Sequence, residues 1–187
     1  MVLLQVQRLL CIAFLTLLVS CAPLPDLPSG SLVPGAFDLT GRFLVRFREG
    51  ASSGRVQWRH SDPVDDLLIT SPLGLGLARI TRTDSRFDLK TADGQSFEAN
   101  NAEDLTESVL GWRLPLTGLP HWVRGRPKPD SAAQAVSDAS GRVVELRQEG
   151  WLIQFEDFSN AYPGRIHLSR PDLDLHLVIE SIASGTP

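Results

Sequence analysis

The sequence predicts a mainly β fold of the α+β class, an unclosed antiparallel β-barrel or strongly curved sheet that carries a helical insert. Two observations predict the sheet: apolar and polar residues alternate in successive short segments, and Asp93-Gly94 is a strong two-residue hairpin signal. A third observation, the change to helical spacing near residue 101, predicts the insert. We expect the helices to cover the open side of the sheet.

The first two strands follow from an alternation of period two. Residues 43–47 and 55–59 both place apolar side chains on one face and polar side chains on the other. The Gly- and Ser-rich residues 49–53 between them predict a hairpin loop.

A third strand is expected to start at residue 67. Seven further strands are expected between turn signals, over residues 77–82, 87–91, 96–99, 142–148, 151–157, 165–169 and 172–181. The last is the clearest, because its leucines all point to one face. About nine or ten strands are therefore expected, and residues 125–135 are predicted to form a loop.

The middle of the chain predicts helices. Asn101 is suited to cap a helix whose first turn contains two acidic residues. Leu105, Val109 and Trp112 follow at the spacing i, i+4 and i+7, which is typical of one helix face. Residues 116–122 predict a second, shorter helical piece.

Residues 1–20 resemble the signal peptide of a bacterial lipoprotein. The apolar run 9–18 is too short for a permanent membrane span, which needs about 20 residues. It ends in Leu18-Val19-Ser20-Cys21, which resembles a lipobox. We expect cleavage before Cys21 and, on that residue, an N-acyl group and a thioether-linked diacylglycerol, with no other cofactor. The alternative is an ordinary secretory signal whose cleavage site happens to contain a cysteine.

The mature chain is expected to form one anchored domain. Residues 21–36 are rich in proline and predict an extended tether, and residues 37–187 are long enough for a single core. In lipoproteins, aspartate directly after the lipidated cysteine retains the protein in the inner membrane. Residue 22 is alanine, so the resemblance implies sorting to the outer membrane.

The formal net charge of −4 argues against a nucleic-acid partner. Cys21 is the only cysteine left after cleavage, so no disulfide is expected, and we expect a monomer.

No catalytic or metal-binding constellation is predicted. Residues 50–54 match G-x-S-x-G, but a nucleophile elbow needs a strand-to-helix turn and these residues lie between two predicted strands. His167 and His176 could face each other across the last hairpin, where a surface pair is commoner than a metal site. Asp65 and Asp66 lie at a strand start and are expected to be solvated. We therefore do not expect an enzyme.

Three segments resemble the LolB family of outer-membrane lipoprotein receptors. They are residues 37–43, residues 67–74 and the central residues 103–125. The similarity runs in order over about residues 37–182. The resemblance implies an unclosed β-barrel with helices as a cover over a hydrophobic cavity.

The resemblance also implies a function. Members of the family accept triacylated lipoproteins from the soluble periplasmic carrier LolA and insert them into the inner leaflet of the outer membrane. Each methylene shielded from water contributes about 0.8 kcal/mol, so three exposed acyl chains would cost tens of kcal/mol. No ATP-binding loop is visible, and transfer is therefore expected to run downhill in free energy.

Leu73 is the first site residue that the resemblance indicates. It lies between Pro72 and Gly74 and matches an exposed loop leucine that the family needs for inserting cargo into the membrane. From the residues alone, a leucine folded back onto the core would be favoured. Our hypothesis is that Leu73 enters the bilayer during delivery.

Five aromatic residues are the second candidate site. Singly, each is most simply an ordinary core residue, but together they are compatible with the lining of a cavity. Our hypothesis is that these side chains contact acyl chains: Phe43, Phe47, Trp58, Trp112 and Trp151. Two alternatives stay open, namely a lipid- or peptide-binding half-barrel with no sorting role, and a lipid-anchored structural protein with a solid core.

Overall fold

The computed structural model describes residues 35–159 and 162–184. The described strands are β1 (Phe37–Phe47), β2 (Gly50–Ser61), β3 (Val64–Thr70), β4 (Gly76–Thr83), β5 (Arg86–Thr91), β6 (Ser96–Ala99), β7 (Ala133–Ser137), β8 (Val143–Gln148), β9 (Trp151–Glu156), β10 (Arg165–Arg170) and β11 (Leu173–Ser184). Two helices, α1 (Ala102–Leu110) and α2 (Leu119–Trp122), lie between β6 and β7 in the chain. The predicted signal peptide, Cys21 and most of the predicted tether lie outside the described residues.

The described strands form one antiparallel sheet in the order β6-β5-β4-β3-β2-β1-β11-β10-β9-β8-β7. The first and last strands are therefore neighbours in the middle, and β6 and β7 are the two edges. Within the described residues the edges do not pair with each other, so the barrel is unclosed. The helical insert is the chain segment that joins the two edges. The predicted fold class is thus confirmed.

The core lies between the inner face of the sheet and the helical insert. Inward-facing side chains of the central strands pack against insert residues, which include Trp112, Leu114 and Trp122. All the buried apolar side chains that the structure describes lie between Ala36 and Leu177. Burying each large one contributes about 1.5–3 kcal/mol. The described core therefore spans the sheet and the helical insert.

Helix α1 begins at its predicted cap. The side chain of Asn101 accepts hydrogen bonds from two amides of the first turn, at 2.9 and 3.2 Å. The helix ends at Leu110, because Gly111 has a φ of +82°, a left-handed conformation that favours glycine. The prediction that Trp112 continues the helix is therefore wrong: the chain turns at Gly111, and Trp112 is buried in the core.

The first hairpin turn is shorter than predicted. Strand β2 already begins at Gly50, so the expected loop over residues 49–53 is wrong. A Cβ atom on Gly54 would lie 2.2 Å from the carbonyl oxygen of Thr70, which explains the glycine at this position of the strand. The G-x-S-x-G match is thus inside a strand and not at the turn that a nucleophile elbow requires.

One strand was missed. Strand β7 overlaps residues 125–135, which were predicted to form a loop. All five of its residues are exposed, so no apolar alternation marks it. Eleven strands are therefore described, one or two more than expected.

Candidate functional site

An apolar pocket lies between the sheet and the helical insert. Its lining residues are all apolar and come from β1, β2, β3, β11, α2 and the segment before α2: Leu39, Phe43, Val56, Trp58, Leu67, Ile69, Trp112, Leu114, Leu119, Leu175 and Leu177. The free volume is about 40 Å³, room for only a few water molecules. A long acyl chain could therefore enter only if the pocket widened.

Three of the five predicted aromatic residues meet in this pocket. Phe43, Trp58 and Trp112 line it, and the ring centroids of Phe43 and Trp112 are 6.1 Å apart. Phe47 faces the same side of β1 but is four residues, about 13 Å, further along. With Trp112 it lines a separate, polar cavity of about 490 Å³. Trp151 is buried on β9, outside the apolar pocket.

A buried carboxylate stabilises one wall of the pocket through a hydrogen bond to Trp58. Asp65 on β3 is 1% exposed. Its carboxylate accepts a hydrogen bond from the indole of Trp58 at 2.8 Å, lies 2.7 Å from Nδ1 of His60, and accepts a hydrogen bond from the guanidinium of Arg82. Because Trp58 lines the pocket, this network fixes the orientation of one of its walls. The expectation that Asp65 is solvated is therefore wrong, whereas Asp66 is partly exposed.

The ionisation of Asp65 follows from the same contacts. Burial alone raises the pKa of the Asp65 carboxyl group. Hydrogen bonds and charge interactions from His60 and Arg82 outweigh that effect and hold the pKa below its usual value. The carboxylate is therefore charged at neutral pH, inside the domain, and balanced by its partners.

The cover over the pocket is fastened to the sheet by a buried glutamine. The indole of Trp122, which is fully buried at the end of α2, donates to the side-chain oxygen of Gln148 at 2.9 Å. The amide nitrogen of Gln148 donates to the carbonyl oxygens of Lys128 and Ser131, at 2.8 and 3.1 Å. Gln148 could not be predicted as a site residue, because a lone glutamine at a strand end carries no local signal of such a role.

The loop between β3 and β4 presents leucines to solvent. Leu73, after Pro72, is 91% exposed, and Leu75 is 68% exposed. The backbone of Ser71 shapes the loop: its N–H donates to the Leu75 carbonyl at 2.8 Å, and its carbonyl accepts from the Gly74 N–H at 2.9 Å. Gly74 has a φ of +85°, which favours glycine. A leucine that leaves water contributes about 1.5–3 kcal/mol, so this loop is suited to an apolar partner.

The predicted lipid anchor lies outside the described residues. Cys21 falls outside the described residues, so its lipidation stays a prediction. In the part of the chain that the structure describes, we find no helix of the length and apolarity that a membrane span requires.

The fold and the pocket together define a class of protein, an unclosed antiparallel half-barrel whose helical insert covers an apolar interior. A solved structure of similar fold is the LolA superfamily protein NE2245 from Nitrosomonas europaea. Its TM-score is 0.51 at 11% sequence identity, and the match covers 80% of this chain and 86% of that chain. At this identity the likeness concerns the fold alone.

Sequence comparison identifies the family. The family model described as "Outer membrane lipoprotein LolB" matches residues 35–181. Outer-membrane lipoprotein LolB of Nitrosomonas europaea is 37% identical over 150 residues, which cover 77% of this chain and 71% of the relative. The LolB protein of Thiobacillus denitrificans is 34% identical over 184 residues, which cover 96% of this chain and 99% of the relative.

This chain therefore belongs to the LolB family of outer-membrane lipoproteins, as the resemblance predicted. The outer membrane is its location. The family is one of lipoprotein localisation rather than a family of enzymes.

Proposed function

We propose that the protein accepts triacylated lipoproteins from a LolA-like periplasmic carrier and inserts them into the inner leaflet of the outer membrane. The observation that carries this proposal is a pocket lined only by apolar side chains, under a helical cover, in a chain of the LolB family. Lipid on Cys21 would hold the domain at the periplasmic side of the membrane.

The chemistry of the pocket suits acyl chains. Shielding a methylene from water contributes about 0.8 kcal/mol, so holding even part of three acyl chains offsets a cost of many kcal/mol. Because the lining offers no polar group for a specific hydrogen bond, the gain depends on buried apolar area and not on one exact pose. Such a pocket can accept a chain without a strong directional contact that would oppose its release.

Acceptance requires the cover to move. The pocket as described holds about 40 Å³, far less than a long acyl chain needs. Trp112, Leu114 and Leu119 line it and belong to the insert rather than to a strand. Displacing that segment would widen the pocket without breaking hydrogen bonds of the sheet. We expect the sheet to keep its shape while the insert opens.

Delivery uses the exposed leucine loop. Leu73 and Leu75 lie on a loop held by backbone hydrogen bonds, so they can enter the acyl region of a bilayer without unfolding the domain. Entry would bury apolar surface that is now in water and would bring the cargo-filled domain against the leaflet. Proline-rich residues between Cys21 and the domain would allow it to move between carrier and membrane.

The test is a transfer assay in solution. The chain from residue 22 onward is mixed with a LolA-like carrier loaded with a triacylated lipoprotein, and no nucleotide is added. We expect the cargo to follow this protein when the two are separated. A cargo variant without acyl chains is the control and should not transfer. Cargo that stays on the carrier while this protein is folded would contradict the proposal and favour a half-barrel with no sorting role.

A further inference from the structure

Two histidines and an aspartate meet on the outer face of the sheet, away from the pocket. His167 on β10 lies directly opposite His176 on β11. Asp174 is two residues before His176 on the same strand, so its side chain projects from the same face. Leu175, between them, is buried on the inner face. Antiparallel pairing thus brings together three side chains that are separated in the sequence.

Both imidazoles are directed at one carboxylate. Nε2 of His167 lies 2.7 Å from Oδ2 of Asp174, and Nε2 of His176 lies 2.7 Å from Oδ1. The two rings are nearly parallel, with an interplanar angle of 9° and centroids 4.2 Å apart. One ligand atom from each of the three residues falls within 4.8 Å of the others. All three side chains are partly exposed, so a small ion could reach them.

One oxygen of this carboxylate is poorly satisfied. Oδ1 of Asp174 is shielded from solvent and has no well-directed hydrogen bond among the described residues, although His176 is close. The nearest guanidinium nitrogen, Nη1 of Arg46 on β1, is 3.7 Å away, which is too far for a hydrogen bond. A cation held between the imidazoles and the carboxylate would satisfy this oxygen.

We propose that His167, Asp174 and His176 form a binding site for a divalent first-row transition-metal ion of the Zn²⁺, Ni²⁺ or Cu²⁺ type, with water completing the coordination. Two imidazole nitrogens and one carboxylate are ligands that these ions prefer, whereas Mg²⁺ and Ca²⁺ prefer oxygen alone. The site lies on the outer face of the sheet and does not depend on the proposed lipid-binding function.

The geometry requires only a small adjustment. A zinc ion with bonds of about 2.0–2.2 Å to each ligand separates a nitrogen and an oxygen by about 3.3 Å in a tetrahedral arrangement. The observed separations are 2.7 Å from His167 Nε2 to Oδ2 of Asp174 and 2.7 Å from His176 Nε2 to Oδ1. For an ion that both oxygens contact, each imidazole would withdraw by about 0.6 Å from the oxygen it faces and tilt out of the parallel stack. The partly exposed rings have room for this movement.

Titration calorimetry with ZnCl₂ tests the site in the tag-free chain from residue 22 onward. We expect one saturable Zn²⁺ site per chain, with the NMR signals of the His167 and His176 rings perturbed. His167→Ala and His176→Ala should each weaken binding about tenfold or more, because each removes one of three protein ligands. His121→Ala is the matched control, since His121 lies on α2 away from the cluster, and it should leave the affinity unchanged.

Arg46→Gln sharpens the test. Arg46 carries a positive charge 3.7 Å from the proposed ligand oxygen, so its removal should tighten Zn²⁺ binding. If an alanine variant does not fold, His176→Gln retains a polar side chain and should still lose affinity. Absence of saturable binding to the folded chain would overturn the proposal. So would binding that survives in the double variant His167→Ala/His176→Ala.

Discussion

The pocket and the β3–β4 loop are both apolar, but the pocket side chains are buried and the loop side chains are exposed to solvent. Trp58 and Trp112 are buried around a space of about 40 Å³, whereas Leu73 and Leu75 project into solvent. A protein that only stored acyl chains would need the first, and one that only bound a membrane would need the second. Under the proposed function, acceptance and delivery of a lipid cargo are therefore separate steps carried out by separate surfaces.

The two regions are also held in different ways. The pocket wall depends on side-chain hydrogen bonds between strands, from Trp58 and Arg82 to Asp65. The loop depends on backbone hydrogen bonds among its own few residues. Substitutions behind the pocket should therefore change the stability of the domain, and substitutions at the loop tip should change only its function.

The largest effect is expected at the buried carboxylate. Asp65→Asn leaves the buried charge network without its anion, and breaking such a buried pair typically costs about 3–5 kcal/mol of unfolding free energy. Urea unfolding measures the loss. Asp66→Asn is the matched control, because Asp66 pairs with Arg79 at the surface and should change stability by about 1 kcal/mol or less. Equal effects of the two variants would contradict the role given to Asp65.

The stabilisation from Asp65 should depend on pH. The pKa of Asp65 is lower in the folded chain than the ordinary value of an aspartate, so the folded state releases this proton more readily than the unfolded state. The contribution is therefore complete above the unfolded pKa and is lost as the pH falls through the folded pKa. We expect the difference in unfolding free energy between the wild type and Asp65→Asn to be largest at neutral pH and to shrink below about pH 4. A difference that is independent of pH would argue against this linkage.

A smaller loss of stability is expected from removing the hydrogen bond between the helical insert and Gln148. Gln148→Leu leaves the indole N–H of Trp122 buried without its acceptor, which should cost about 1–3 kcal/mol in urea unfolding. Gln134→Leu serves as the control, because Gln134 is exposed on the edge strand β7 and should change stability by less than about 0.5 kcal/mol. If Gln148→Leu were as stable as Gln134→Leu, the cover would not depend on this contact.

Quenching in single-tryptophan variants, each first shown to be folded by its urea unfolding curve, distinguishes the pocket from the rest of the core. One variant keeps Trp112 and another keeps Trp151, with the other three tryptophans changed to phenylalanine. Acyl chains brominated along their length should quench Trp112, which lines the pocket, more than Trp151, which lies outside it. Equal quenching of the two tryptophans, or none, would contradict the binding of acyl chains in the apolar pocket.

The parts of the fold that could be predicted from the sequence are those with a local signal, such as alternation of apolar and polar residues. The long last strand and the cap of α1 were predicted because their signals are local: leucines two apart, and an asparagine before two acids. The start of β2 was missed because its residues are small and mostly exposed, so no apolar alternation marks them, and Gly54 is small because the carbonyl of Thr70 on the neighbouring strand lies against it. Strand β7 was missed because exposed edge residues need no apolar period.

The site could be predicted only in part, because some of its contacts join residues that are distant in the sequence. Phe43 and Phe47 have identical signals on one face of β1, but Phe43 lines the apolar pocket and Phe47 lines the polar cavity. Which part of the insert each ring meets is not encoded in the strand itself. Asp65 did carry a signal, since it stands two residues before Leu67 and so faces inward with it. Its partners His60 and Arg82 come from other strands, so the burial of a charge could not be inferred from the chain segment alone.

The most direct test of the two-surface account is delivery of cargo to liposomes by Leu73→Glu, compared with Val136→Glu. Both residues are exposed hydrophobic positions, but Val136, which is 57% exposed, lies on edge strand β7. The account predicts that both variants fold and accept cargo from the carrier, and that only Leu73→Glu fails to deliver it. Delivery by Leu73→Glu at the level of Val136→Glu would contradict the account, as would loss of carrier-to-receptor transfer in folded Leu73→Glu.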